Sequence, residues 1–418
     1  MSQPPLRFVH ASDLHLEQPL SGVAEVPAHL HDVFLEAPQE AASKVFDTAL
    51  TEAADGLLLA GDVVNFDLAG PRAIVFLREQ FQRLADRGIP VFWACGTSDP
   101  VDSWPASVAL PENVHIFPVG QVADLELRRQ GDDSGEVIAR IQGISRSPGA
   151  PLDDSGFYRD AHGLFTVGIA YGTSASPGTE GDRVHYMALG GRHQRRTVDQ
   201  SPGIAHYSGS PQGRNPTETG RCGCTIVAVD DAGHVSTRFV ATDSICWITE
   251  VVEITAGTDE DALLSQMESR ISKLRTKHHG MPLLVTWEIK GRGQVLNHIR
   301  SGGISDQMVS ALRKKYGAES PSIWTVAVES EALLDVPQEW VDEETIMGDM
   351  LREFHDLEAD TSIPLALDEF LPRGLGEADW ADLVAVPDAE RADLLGAASK
   401  MAVDLLDGEE ELTECDEN

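Results

Sequence analysis

Apolar and polar positions follow two different periods along this chain, and each change of period marks a part. Residues 6–9 and 56–60 are short unbroken apolar runs, as expected of strands buried on both faces. Residues 38–55, in between, place Val45, Ala49 and Ala53 four apart beside Phe46 and Leu50, the spacing of a helix with one buried face. Residues 71–87 repeat that pattern through Ile74, Leu77, Phe81 and Leu84. Pro71 suits the first helical turn there, and Gly88 the end. Residues 89–94 read as a third strand. Such strand–helix alternation predicts a parallel sheet with covering helices.

From about residue 112 the pattern shifts to short strands and turns, at 114–117, 137–144, 165–170, 186–189, 204–207, 225–229 and 235–240. After Thr242-Asp243-Ser244, residues 247–330 alternate strands and helices again. Residues 335–418 read as helical, with Asp388 as an N-cap. Leu394, Leu395, Ala398, Met401, Ala402, Leu405 and Leu406 form an apolar stripe there. The predicted organisation is a first domain over 1–243, a small α+β domain over 247–330 and a helical region over 335–418.

Composition narrows the class. The 418 residues are 42% hydrophobic and 24% charged, which suits a globular protein with a sizeable core. No apolar run approaches the roughly 20 residues of a membrane span. The opening MSQPPLRF lacks a basic-then-apolar leader pattern, so the expected location is cytoplasmic. Five cysteines without CxxC spacing argue against a disulfide framework or a zinc ribbon. The net charge of −36 is unfavourable for a nucleic-acid binder, because phosphate contacts need Lys and Arg. Much of it sits at one end: residues 331–418 hold 27 Asp and Glu against 4 Lys and Arg, leaving a net of −13 on the rest.

The candidate chemistry begins at Asp13 and His15, just past the first strand. Two positions apart, they can aim a carboxylate oxygen and an imidazole nitrogen at one divalent ion. Gly61-Asp62 closes the second apolar run in the same way, and Gly96-Thr97-Ser98-Asp99 closes the third. This order of motifs resembles the calcineurin-like metallophosphoesterases. Within them, Phe8-Val9-His10-Ala11-Ser12-Asp13-Leu14-His15-Leu16 resembles the SbcD-type DNA-repair exonucleases and their archaeal and eukaryotic counterparts in double-strand-break repair.

The resemblance implies a four-layer α/β/β/α metallophosphoesterase sandwich, with a small α+β capping domain and a helical acidic C-terminal extension. It also implies two metal ions, typically manganese in the nucleases, which polarise a phosphodiester and activate water. Asp13 and His15 match the first motif and Asp62 the second. The third motif is normally Gly-Asn-His-Asp/Glu, its Asn on the second metal and its His the proton donor; Thr97 and Ser98 stand at those positions. Tyr171 stands where the fourth motif has a histidine. Ala188-Leu189-Gly190-Gly191-Arg192-His193 replaces Ala-Leu-Gly-His-x-His, so Gly191 takes a second-metal position and His193 matches the first metal.

Every match to the first metal is therefore kept (Asp13, His15, Asp62, His193), and every private ligand of the second is replaced (Thr97, Tyr171, Gly191). The expectation is one divalent ion, manganese before zinc, iron or magnesium, and no catalytic residue at the proton-donor position. Arg192 and Arg214 are candidate phosphate contacts; Arg192, Arg195 and Arg196 also read as a solvated loop. Three functions stay open. One is an SbcD-like protein of DNA end processing that has lost most catalysis. Another is an active single-metal exonuclease or phosphodiesterase. The last is a small-molecule phosphoesterase. The expected partners are DNA, an SMC-like coiled-coil ATPase docked on the C-terminal helices and a second copy of the chain, with no membrane.

Overall fold

The computed structural model describes residues 5–129, 135–147, 152, 155–172, 183–199, 203–300, 302–330, 338–360, 363, 365, 391–392 and 394–403. Its first part runs β1 (Leu6–Ala11), α1 (His31–Thr51), β2 (Gly56–Ala60), α2 (Pro71–Ala85), β3 (Val91–Ala94) and β4 (Val114–Ile116). Then follow β5 (Ala123–Arg128), β6 (Val137–Ile144), β7 (Phe165–Tyr171), β8 (Tyr186–Gly190), β9 (Arg196–Asp199), β10 (Ile204–Tyr207), β11 (Gly223–Val229) and β12 (Val235–Ala241). Pro71 opens α2 as expected, since the amide it lacks has no partner in a first turn.

These strands make two six-stranded sheets, ordered β12-β11-β1-β2-β3-β4 and β5-β6-β7-β8-β10-β9. In the first, β1 to β4 are parallel, and β11 and β12 add antiparallel strands beside β1. In the second, β6, β7, β8 and β10 are parallel, with antiparallel β5 and β9 at its edges.

Side-chain alternation explains why the central runs are apolar throughout. Phe8, Leu58, Ala60 and Phe92 enter the layer between the sheets, where they meet Ile141, Phe165, Val167 and Ile169. Their neighbours Val9, Leu57, Leu59, Val91 and Trp93 face α1 and α2, against Phe46, Leu77 and Phe81. Each such side chain stabilises the fold by about 1.5–3 kcal/mol through burial. The α/β sandwich is the one expected. The outer face of its second sheet is covered by Phe157 and Leu152 from an irregular segment, not by a helix among the described residues.

His206 links the two sheets. Its Nδ1 lies 2.9 Å from Thr197 Oγ1 and its Nε2 3.0 Å from Thr225 Oγ1, and it is fully buried. Burial, with the nearby Arg195 charge, pushes its pKa down to about 4. The unfolded chain therefore takes up a proton near pH 6.5 that the folded chain refuses until about pH 4. The stability held above pH 6.5 should fall through that window by up to ~3 kcal/mol. Urea midpoints measured from pH 7 to 4.5 check this, and His206→Asn should flatten the slope.

The later elements are β13 (Cys246–Ile254), α3 (Glu260–Lys277), β14 (Leu283–Gly291), α4 (Gln294–Arg300), α5 (Ser305–Leu312), β15 (Ile323–Ser330), α6 (Gln338–Val341) and α7 (Ile346–Ala359). Strands β13, β14 and β15 form a third sheet in that order. By internal contacts the chain divides into residues 1–250, 267–287 and 306–328 as one compact unit and 251–266, 288–305 and 329–418 as the other. The division cuts through β13, α3 and β14. In the second unit, Thr345 caps α7 through Gly348 N–H, and Arg391 donates to the carbonyls of Leu357 and Ile363. Residues 394–403 are helical, with Leu395 buried and Leu394 and Met401 about two-fifths exposed. Asp388, Leu405 and Leu406 lie outside the described residues. No helix among the described residues is long and apolar enough to cross a membrane.

Candidate metal centre

The parallel strands of both sheets end on the same side, and the predicted site residues lie at those ends, where α/β sheets bind ligands. Asp13 and His15 follow β1, Asp62 follows β2, residues 96–99 follow β3, Tyr171 ends β7, and Gly191 and His193 follow β8. The first two loops are laced together: Asp13 N–H donates to Gly61 O at 2.9 Å and His15 N–H to Asp62 O at 3.0 Å. This lacing holds three non-glycine residues in the left-handed region, Asp13 at φ 55°, His15 at φ 43° and Asp62 at φ 51°. Side chains at such backbone angles are costly and tend to cluster at functional sites.

One ligand atom each from Asp13, His15 and His193 lies within 4.8 Å of the others. His15 Nε2 is buried without a hydrogen-bond partner, 3.7 Å from Asp62 Oδ2, while His193 Nε2 lies 3.9 Å from Asp13 Oδ1. An orphaned buried imidazole nitrogen facing a carboxylate and a second imidazole fits a divalent cation.

A carboxylate stands behind each histidine. Glu17 Oε1 lies 3.3 Å from His15 Nδ1, and Glu218 Oε1 lies 2.8 Å from His193 Nδ1. Such pairs favour the proton on Nδ1 and leave His15 Nε2 for an ion, whereas Arg214 Nη2 also lies 3.2 Å from His193 Nε2. Against a burial penalty, the His193 hydrogen bond and the Arg214 charge hold Glu218 at a pKa of about 2, so it stays ionised. Burial works likewise against Glu17, which the His15 and Asn65 hydrogen bonds still hold below the usual carboxylate range. Burial raises the pKa of Asp13 above its ordinary value, against hydrogen bonds from Ser12 Oγ (2.6 Å) and Gly191 N–H (3.1 Å). Glu218→Gln should weaken ion binding by about 10–100-fold without unfolding the chain, as loss of an outer partner does elsewhere. Competition with a metallochromic chelator measures it.

Asp62 is not among the three converging atoms. Its Oδ1 accepts Ser98 N–H at 2.7 Å and its Oδ2 accepts the Tyr171 hydroxyl at 2.5 Å. The Tyr171 ring lies against Gly61, Gly96 and Gly191; a Cβ on these glycines would come within 2.4, 2.8 and 3.1 Å of it. Arg146 covers the ring at 5.6 Å, and Thr97 approaches the same hydroxyl. The three positions read as lost ligands are therefore one packed group. Burial and the Asp62 hydrogen bond push the Tyr171 pKa well up, so it stays a neutral donor. Ser98 reaches Asp62 through its backbone.

Asp99 has an internal role. It is fully buried and accepts from Asp62 N–H (3.0 Å), Gly96 N–H (2.6 Å), Val63 N–H (3.2 Å) and Trp93 Nε1–H (2.8 Å). The two candidate phosphate arginines separate. Arg214 is buried and occupied internally: Nη1 donates to Gln18 Oε1 at 2.9 Å, and Nη2 lies 3.2 Å from Glu218 Oε1 and 2.9 Å from His193 Nδ1. That occupation leaves it poorly placed for a phosphate. Arg192 is exposed over the Tyr207 ring.

Sequence reasoning passed over Glu17, although a carboxylate two residues beyond a candidate ligand is a readable signal. Glu218 carries no such signal: nothing local marks it as the partner of a histidine 25 residues earlier.

No protein-family model matches the chain. Over 340 residues it is 28% identical to a Bacillus subtilis (strain 168) protein described as an uncharacterized metallophosphoesterase, YhaO; the aligned stretch covers 78% of this chain and 82% of that one. This likeness agrees with the two-sheet α/β sandwich and supports the metallophosphoesterase family, with its use of a divalent metal.

Proposed function

We infer that this chain is a metallophosphoesterase-fold protein that holds one divalent ion at Asp13, His15 and His193, with Asp62 alongside. Its capacity for two-metal phosphodiester hydrolysis is lost. The observation that carries this reading is the 2.5 Å hydrogen bond from Tyr171 to Asp62, the residue that bridges both ions in the enzymes it resembles. A bound ion supplies Lewis acidity toward a phosphoryl oxygen and lowers the pKa of water. Glu17 and Glu218 orient the histidines for that ion. Tyr171 donates a neutral hydroxyl where a second cation would otherwise meet Asp62. At the proton-donor position stands Ser98, whose hydroxyl cannot do a histidine's work near neutral pH.

The finer reading follows the motif wording around Asp13: an SbcD-like protein of DNA end processing that acts through binding more than through cleavage. A single-metal phosphoesterase is the second reading. It is favoured by the retained left-handed backbone at Asp13, His15 and Asp62, a cost that a pure scaffold gains nothing by keeping. Metal content of the purified chain, with manganese-dependent hydrolysis of a phosphodiester reporter and of linear duplex DNA, separates them. One ion per chain without turnover supports the first reading, and one ion with turnover the second. Two ions with turnover would sink both.

A further inference from the structure

His193 also forms one wall of a cleft of about 330 Å³ that neither Asp13 nor His15 lines. Arg195, Ser208, Thr219, Arg221 and Phe239 are among its other walls. The Arg195 guanidinium lies 5.7 Å above the Phe239 ring, and its Nε reaches Thr225 Oγ1 at 3.4 Å. Among the described residues neither Arg195 nor its neighbours Arg192 and Arg196 meets a carboxylate. That is unexpected in a chain with 68 Asp and Glu against 32 Lys and Arg, where Arg7, Arg72, Arg83 and Arg238 all find acidic partners. Glu218 also lines the cleft, but its carboxylate is engaged with His193 and Arg214, and Asp243 is engaged with Arg221 at 2.8 Å.

The loops that set Arg195 there fit closely. Ser210 N–H donates to His193 O at 2.9 Å, and a Cβ on Gly209, at φ +77°, would lie 2.7 Å from Arg195 N. A planar guanidinium resting on an aromatic ring, with no partner for its terminal nitrogens among the described residues, is preorganised for the fork geometry of a phosphate.

We propose that this cleft is a phosphate subsite centred on Arg195. It takes the phosphate group next along from the one at the ion-binding residues, whether in a nucleic-acid strand or in a nucleotide carrying several phosphates. The second half of that statement rests on the one-ion reading above; phosphate binding in the cleft does not.

The test uses the full chain stripped of metal with a chelator and titrated by calorimetry, with inorganic pyrophosphate in one series and a short oligothymidylate in another. Wild type should bind, more weakly as salt rises. Arg195→Gln should lose about tenfold or more in affinity, and Arg195→Lys, which keeps charge but loses the fork, should lose less. Arg87→Gln, on an exposed turn after α2, should change nothing. Circular dichroism confirms that each variant is folded. Loss with both ligands supports the shared phosphate chemistry. Binding and loss confined to the oligothymidylate assigns the source to nucleic acid, and confined to pyrophosphate, to a nucleotide. No binding of either ligand, or equal affinity in Arg195→Gln, overturns the subsite. A metal-stripped chain that binds normally, paired with a loaded chain that holds no ion, overturns the one-ion reading and leaves the subsite standing.

Discussion

Replacing Asp99 with alanine should cost about 4 kcal/mol or more of stability, because four buried N–H donors lose their acceptor at roughly 1–3 kcal/mol each. The donors come from the loop after β2, the loop after β3 and the indole of Trp93, so this one carboxylate ties two ends of the central sheet together. Asp99→Asn should cost about half as much. Oδ1 accepts from Asp62 and Gly96 while Oδ2 accepts from Val63 and Trp93, and an amide retains only one accepting oxygen. Urea unfolding at pH 7, with unchanged denaturant slopes, measures both. Burial pushes the Asp99 pKa up to about 7 against the pull of those N–H groups. An asparagine variant as stable as wild type would show that the carboxyl is carried neutral.

The other large effect concerns ion number. Ser98→His alone should leave one ion per chain and restore no manganese-dependent cleavage, since Tyr171 would still hold Asp62. Gly191→His alone should destabilise the chain, because the Tyr171 ring lies 3.1 Å from where its Cβ would be, a crowding that Tyr171→His relieves. Thr97→Asn, Ser98→His, Tyr171→His and Gly191→His together should bring in a second ion and raise turnover by at least about 10²-fold, the usual contribution of a positioned general acid. Plasma mass spectrometry counts the ions. Cleavage by the Ser98→His single variant would contradict the part assigned to Tyr171.

How far these features could be read in advance depended on how local each one is. Residues 56–60 are apolar on both faces because two cores bury them, and that doubling is visible in the letters themselves. Strand β5 passed unnoticed although Ala123, Leu125 and Leu127 alternate with Asp124, Glu126 and Arg128, while β9, Arg196–Asp199, is too short and polar to show a period. Asp13, His15, Asp62 and His193 were legible because each falls just beyond a strand end in a recognisable order of motifs. Tyr171 was legible as a missing histidine but not as a donor to Asp62, because that contact joins residues 109 apart. Arg214, a candidate phosphate contact in the sequence, is instead buried and held by Gln18 and Glu218, partners far from it or unmarked in the local sequence.

The left-handed backbone at Asp13, His15 and Asp62 sets heat tolerance against ion capture. Each of these residues costs roughly 1–2 kcal/mol relative to a relaxed conformation, and glycine would relieve it. A population of variants selected only for surviving high temperature should accumulate glycine at those ligand positions, and one selected for holding its ion should not.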